Sequence, residues 1–449
     1  MAAPRIILAT AGSLGDLHPF LALGEALKAR GARVQIATSL EYQPKVQAEG
    51  LLFQDASLGL ADFEAELGLD LAGITRKIAQ SNFWFYDNIV LPNAAAGARR
   101  MIELAEGADV IVASSFALGA QLAAQKLGLP FVSVALSPML FMSAHEPTPL
   151  PGAPWLKPRT SRAGLALNRA TLNLGRLLTR GFTERVNAAR ATLGLPPSRD
   201  NVIFDTPWRA DLVLGLFSPV LGGPLPDHPA NTHITGYACY DSEMGGPPAL
   251  PQALAAFLDA GEPPIVFTLG SAAVHIADRF HVEGLAAARA LNRRAVLLVG
   301  PDGDLGLTRG ATDAITVSYA PYSLLFPRAA ANVHQGGVGT TQQALRAGRP
   351  QLVVPHLGDQ FDNGARIAAR GAGVVLKRDR FKAGAAAESL SRLLGDSKIA
   401  ERAAAAEALS GAENGAAVGA DLVIGLATRR RARAAAPNRC HARHRAWGR

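Results

Sequence analysis

The densest chemistry in this 449-residue chain lies in His334–Asn363: H-Q-G-G-V-G-T-T-Q-Q-A-L-R-A-G-R-P-Q-L-V-V-P-H-L-G-D-Q-F-D-N. Gly336, Gly337 and Gly339 carry no Cβ, so the backbone there can approach a ligand closely. A helix begins at these glycines. Its unpaired N–H groups and the positive end of its dipole converge on one spot, which is an anion site suited to phosphate. His334, Thr340 and Thr341 add side-chain donors. Past the end of that helix, Asp359 and Gln360 can hydrogen-bond sugar hydroxyls. A diphosphate beside a sugar describes a nucleotide-sugar.

The pattern His334 to Thr340, followed by Pro355 to Asn363, resembles the H-x-G-G-x-G-T and P-x-x-x-D-Q-x-x-N signature of inverting nucleotide-sugar glycosyltransferases. These belong to the UDP-glycosyltransferase-like superfamily of the GT-B fold. The likeness runs over nearly the whole chain, to about residue 425, and is nearest to rhamnolipid rhamnosyltransferases, sterol glucosyltransferases and macrolide glycosyltransferases. It implies a metal-independent hexosyltransferase that needs no cofactor, because the UDP- or dTDP-sugar is a co-substrate. It also implies that His334 and the glycines neutralise the departing diphosphate, which is electrostatic stabilisation of the transition state. Thr268, Gly270 and Ser271 match the T-x-G-S turn that faces the diphosphate in relatives, and Tyr319 matches the residue that packs on the base. Where relatives that bind a ribonucleotide often carry a Glu, this chain has Gln342 and Gln343, which leaves the base open between UDP and dTDP.

The proton acceptor is expected from the other half of the chain. Ala11–Pro19 reads A-G-S-L-G-D-L-H-P, and many relatives carry G-H-x-x-P here with the His as base. Asp16 takes that position, with His18 as the fallback. At a helix start Asp16 is expected to stay ionised and to be a weak base, and it is also placed to cap the helix. Gly15, His18, Trp84, Phe85 and Met139 are candidate acceptor contacts, and the lipid-like or natural-product character of the acceptor follows from the resemblance. Two other readings stay open: a nucleotide-sugar epimerase of similar architecture, and a catalytically silent partner protein.

These residues need a scaffold that brings two loops together. Strand-like runs at Ile6–Ala9, Val34–Thr38, Val110–Ala113 and Phe131–Leu136 alternate with helical stretches, the first of them opened by Pro19. Residues 55–105 read as helices, 138–165 as a proline-rich loop, and the stretch to Leu195 as basic helices. The pattern restarts with Ile265–Leu269, Ala295–Val299, Ile315–Ser318, Ala331–His334 and Leu352–Val354. The expected fold class is therefore α/β: two Rossmann-like, doubly wound parallel-sheet domains facing a cleft. The expected division is 1–220 for the acceptor, a Gly/Pro-rich linker 221–248, 249–427 for the donor with a helix near Glu413–Ala427 crossing back, and a basic disordered tail 428–449.

Composition narrows the classes further. Eight arginines sit in residues 428–449; with those set aside, the remaining 37 lysines and arginines balance the 37 acids, so the net +8 belongs to the tail. That excludes a nucleic-acid-binding face and leaves a peripheral contact at the inner membrane face as the tail's one functional option. Two cysteines make no disulfide framework, and the apolar runs are too short for a signal peptide or a membrane span. A cytoplasmic setting is expected, with no metal site; Asp302 and Asp304 match the letters of a metal motif but fall in a Pro-Gly loop.

Overall fold

Short aliphatic runs, too brief for buried helices, alternate with helices along the chain, and the strands they form assemble into two parallel sheets. The computed structural model describes residues 3–149, 153, 155–242 and 245–435. The first sheet holds β1 (Arg5–Ala9), β2 (Arg33–Ser39), β3 (Leu52–Ser57), β4 (Val110–Ser114), β5 (Phe131–Ala135), β6 (Leu212–Gly215) and β7 (Thr232–Ile234), in the order β3-β2-β1-β4-β5-β6-β7. The second holds β8 (Ile265–Thr268), β9 (Ala295–Leu298), β10 (Ala314–Val317), β11 (Ala331–His334), β12 (Gln351–Val353) and β13 (Gly373–Val375), in the order β10-β9-β8-β11-β12-β13.

In each sheet the winding reverses beside its first strand. Ile6 of β1 lies between Val34 and Val110, and Phe267 of β8 lies between Leu297 and Val333. Ligands of such sheets bind outside the carboxyl ends of the strands at that reversal. The loops leaving β1, β8 and β11 contain the motif residues, so the topology aims all three at one crevice.

Several boundaries differ from the sequence reading. The first helix runs Leu14–Ala29 and is opened by Ser13, whose Oγ accepts from Gly15 N–H while Asp16 Oδ2 accepts from Ser13 N–H. This capping box outweighs the start signal of Pro19, which instead lies inside the helix and leaves the Gly15 carbonyl without an i+4 donor. The strands β3, β6, β7 and β13 were not expected. Of these, β7 lies within the expected linker and pairs with β6, so the first part of 221–248 is sheet. Its glycines and prolines mark the turns on either side of a three-residue strand, too short to show a period.

The closing helix, Gly415–Ala435, packs on the first half of the chain and extends well past Ala427. Ala416, Ala420, Val423 and Ala427 share the first sheet's core with Leu23 and Leu27 of the first helix. The expected tail is thus helical over its first residues and tied down. Arg430 donates to the carbonyls of Ala108 and Asp109 at 2.9 and 2.8 Å, and Arg431 donates to the Asp109 carboxylate at 2.8 and 2.6 Å. Burial alone would raise the Asp109 pKa; the bonds from Arg431 and from Arg5 N–H outweigh it and hold the carboxyl below its ordinary value. These arginines are committed to the fold rather than to a membrane. Residues 436–449 of the expected tail lie outside the described residues. Arg431→Ala is expected to cost about 1–2 kcal/mol, read as a lower urea midpoint with unchanged turnover; an unchanged midpoint would return these arginines to the status of a loose tail.

Candidate functional site

A cleft of about 1290 Å³ is lined by residues from both halves of the chain. From the first come Gly12, Ser13, Leu14, Gly15 and His18; from the second come Thr268, Gly270, Ser271, Ser318, Tyr319, Gly339, Thr340 and Gln343. A volume above the roughly 300–1,000 Å³ of a single-ligand pocket has room for two substrates side by side. The half nearer the first sheet is apolar, with Phe63, Ile74, Ile78, Phe85, Ile89 and Phe116 on its wall.

The candidate anion cradle lies where the glycine-rich turn meets the helix Val338–Arg346. Thr341 N–H is the first of this helix to pair back, to Gly337 O at 2.9 Å, so the N–H groups of Val338, Gly339 and Thr340 precede the helical ladder. Gly336 holds φ +91°, and a Cβ there would meet Gln360 O at 2.9 Å, so only glycine lets this turn pack against the Asp359–Gln360 segment. Beside it Thr268 Oγ1 and Tyr322 Oη share a 2.8 Å hydrogen bond.

Not every expected donor residue faces the cleft. Gly270, Ser271, Tyr319, Gly339 and Thr340 line it, while His334, Gly336, Gly337, Thr341, Asp359 and Gln360 do not. The largest correction concerns His334. It is fully buried; Gly336 N–H donates to its Nδ1 at 3.0 Å, and its Nε2 lies 2.9 Å from Gln351 Oε1. Because Nδ1 accepts, Nε2 must carry the proton and donate. Burial pushes its pKa down to about 4, so it is a neutral ring that fixes the glycine turn and has no donor left for a phosphate. His334→Ala is therefore expected to leave a buried N–H and a buried carbonyl unpaired, costing about 2–4 kcal/mol of stability, with any loss of nucleotide affinity following from the loosened turn. Unchanged urea unfolding with abolished UDP and dTDP binding would restore the direct role.

Thr341 is likewise buried, its Oγ1 without a partner, and Gln360 spends its Oε1 on the N–H groups of His356 and Leu357 at 2.8 and 3.0 Å. Two glutamines occupy better positions: Gln343, which the resemblance places where relatives often carry a Glu, and Gln335, which the motif leaves unassigned. Gln335 lies against Gly270 and reaches Thr340 Oγ1 at 3.4 Å, and Gln343, one turn along from Gly339, lines the cleft. The signal for Gln343 is its match to the Glu position of relatives; for Gln335 the sequence holds none, because it fills a variable position of the motif.

On the opposite side, Asp16 forms a capping box with Ser13 directly behind Ser13, Leu14 and Gly15, which line the cleft while Asp16 itself does not. Its Oδ2 takes the bonds from Ser13 N–H (2.8 Å) and Oγ (3.3 Å), which leaves Oδ1 as the oxygen able to take a proton. Burial raises its pKa to about 6 against the opposing bonds from Ser13, so the expectation of a fully ionised, weak base is corrected. Asp359 is raised to about 7, first by burial and then by the charges of Asp16 and Asp362, against the bond from Asn363. The charge of Asp16 in one half thus reaches Asp359 in the other. His18 lies in the cleft with its ring 4.8 Å from that of Tyr240, and burial together with Lys45 lowers its pKa to about 3. A gap of about three units makes Asp16 the stronger base.

Of the expected acceptor contacts, Gly15, His18 and Phe85 line the cleft, while Trp84 and Met139 do not. Trp84 precedes Phe85 on the same short helix, about 100° round its axis. Among the described residues, no group of three or more His, Cys, Asp and Glu is placed to hold a metal ion, and no helix is long and apolar enough to cross a membrane.

Residues 6–135 match the glycosyltransferase family 28 N-terminal domain, and residues 286–418 match the erythromycin biosynthesis protein CIII-like C-terminal domain. Glycosyltransferase GtfE of Amycolatopsis orientalis is 32% identical over 437 residues, covering 94% of this chain and 97% of that protein. O-mycaminosyltylonolide 6-deoxyallosyltransferase of Streptomyces fradiae is 32% identical over 385 residues, covering 82% and 84%. Among solved structures, the spinosyn rhamnosyltransferase SpnG complexed with thymidine diphosphate superposes with a TM-score of 0.64 at 21% identity, over 93% of this chain and 100% of that one, a likeness of fold.

Proposed function

Because this chain belongs to the GT-B glycosyltransferases that carry these two domains, we propose that it transfers a hexose or deoxyhexose from a UDP- or dTDP-linked donor to a hydroxyl of an apolar natural-product or lipid-like acceptor, with inversion. The observation that carries the reading is a single cleft with a backbone N–H cradle at the start of Val338–Arg346 on one wall and the Asp16 turn on the other.

The donor's diphosphate lies against the N–H groups of Val338, Gly339 and Thr340, with Gly270, Ser271 and Thr340 Oγ1 beside it, the base on Tyr319 and the ribose near Gln343. The resemblance assigns Asp359 and Gln360 to the sugar; neither lines the cleft, and of the two it is Asp359 that feels the charge of Asp16 from the other half of the chain. As the acceptor oxygen attacks the anomeric carbon, its proton passes to Asp16 Oδ1, and the bond from that carbon to the diphosphate oxygen breaks with its electron pair. Negative charge grows on the diphosphate, where the helix start stabilises it without a metal ion. The proton need leave only as the carbon becomes cationic, so a base with a pKa near 6 suffices. The apolar wall from Phe63 to Phe116 supports a separate acceptor; an epimerase, which reworks one bound sugar, leaves that wall without a purpose.

The test offers UDP- and dTDP-hexoses with panels of aglycones and sterols, and reads the product's anomeric configuration by NMR. Inversion relative to the donor is expected. Retention would refute single displacement by one base, and turnover of the nucleotide-sugar without an acceptor would favour the epimerase.

A further inference from the structure

The helix Arg162–Leu178 faces the wrong way for an ordinary globular surface. Its buried side is made of Gly164 and Asn168, the Asn168 amide donating to the carbonyls of Ala144 and Lys157 at 2.8 and 2.9 Å. Its outer side carries Leu167, Leu174, Leu177 and Leu178, which are 44, 54, 58 and 76% exposed. At 100° per residue these four fall within one arc of about 100°, with Ala163 and Ala170 between them, which is the width of a face that is normally buried. Trp155 stands at one edge of the stripe, 46% exposed, its Nε1–H donating to Thr171 Oγ1 at 3.2 Å. At the other edge Arg162, Arg169 and Arg176 repeat every seven residues in a row. Arg162 and Arg169 are exposed, while Arg176 is paired with Asp205.

Charge identifies what covers this face. From Pro147 to Thr183 the chain contains no acid and six bases: Lys157, Arg159, Arg162, Arg169, Arg176 and Arg180. Leucines that can insert, a tryptophan at the edge and arginines along the other margin match the layered chemistry of a bilayer surface with anionic headgroups, where such a helix lies in the interface plane. An acidic protein would satisfy the arginines but would leave the leucines to a matching apolar patch of its own. We propose that Arg162–Leu178 and Trp155 form a docking surface for an anionic lipid bilayer, which holds the acceptor half of the enzyme at a membrane face. The surface lies apart from the cleft, since none of these residues lines it.

The experiment is flotation of the full-length protein with vesicles of phosphatidylcholine alone and of phosphatidylcholine with 30% phosphatidylglycerol. Wild type is expected to float with the anionic vesicles and much less with the neutral ones. Leu174→Gln with Leu178→Gln should weaken that partition by roughly a hundredfold, and Arg162→Gln with Arg169→Gln by roughly tenfold. Turnover on a water-soluble acceptor should be unchanged in both. Solvent-facing sites make misfolding a small risk, and matching circular dichroism and urea midpoints exclude it. Absence of flotation by wild type, or equal flotation by the leucine variant, would overturn the proposal. So would light scattering that shows a wild-type dimer split by the leucine changes without vesicle binding, because the stripe would then be a contact between two copies.

Discussion

Asp16→Asn is expected to lower kcat by about a hundredfold to ten-thousandfold while donor affinity stays nearly unchanged. Asn can still accept from Ser13 N–H and so can still cap the first helix. It cannot take the acceptor's proton. The diphosphate cradle belongs to the other wall of the cleft, so UDP or dTDP should bind the variant as wild type does. The pH profile gives a second readout. Asp16 carries a pKa of about 6, raised chiefly by burial, and must be ionised to act, so wild-type kcat/KM should fall as the pH drops through about 6. Stability should move the other way. The folded pKa lies above the ordinary carboxylate value, so the ionised form is the one that folding disfavours. That group's contribution is most favourable at acid pH and declines as the pH rises through about 6. Asp16→Asn should therefore be no less stable than wild type at pH 8. Near-full turnover in Asp16→Asn, with turnover abolished in His18→Ala, would show that the base is His18.

Where the sequence could be read, it was read through elements whose signal is local. The five strands expected in the second half all occur, each within about one residue of its expected limits, because each is a short largely apolar run bounded by turns, and all but β10 are buried throughout. Length does not set the unread strands β6, β7 and β13 apart, since β8 to β12 are also three or four residues long; β7 and β13 are only partly buried, whereas β6, Leu-Val-Leu-Gly, is as buried and aliphatic as the strands that could be read. The glycine-rich start of Val338–Arg346 is legible because its signal is local too: the requirement for a small residue is written in the residue itself. Side-chain direction was not. His334 and Gln335 are neighbours on the way out of β11, and only the packing decides which of them enters the core and which lies beside Gly270. The pKa of Asp16 was misjudged because the helix end that favours its charge is visible in sequence, whereas the burial that opposes it is a tertiary property. The tail was misread because an arginine run signals disorder only until some partner is found for it, and Asp109 is more than 300 residues away.

Gly339→Ala separates binding from folding within one motif. A Cβ at Gly339 meets nothing within 4 Å, whereas one at Gly336 would strike Val353 Cγ1 at 2.7 Å and Gln360 O at 2.9 Å in a backbone with φ +91°. Gly336 is thus required by the fold, whereas no contact of the fold requires glycine at 339. Alanine at Gly339 should leave the fold intact and stabilise the helix by about 0.5–1 kcal/mol. The added methyl projects from the first turn of the helix into the space assigned to the diphosphate, and keeps phosphate oxygens from the N–H groups beneath it. Losing one such charge-assisted bond costs about 1.5–3 kcal/mol, a rise in Kd of roughly tenfold to over a hundredfold. Calorimetric titration with UDP and dTDP, beside a thermal melt, reads both quantities on one sample. A variant that melts no lower than wild type but binds nucleoside diphosphate far more weakly places the anion against this helix start, since no loss of structure is available to explain the weaker binding. Equal affinity in the two proteins would move the diphosphate elsewhere in the cleft, and the electrostatic role of the helix N-terminus would fall with it.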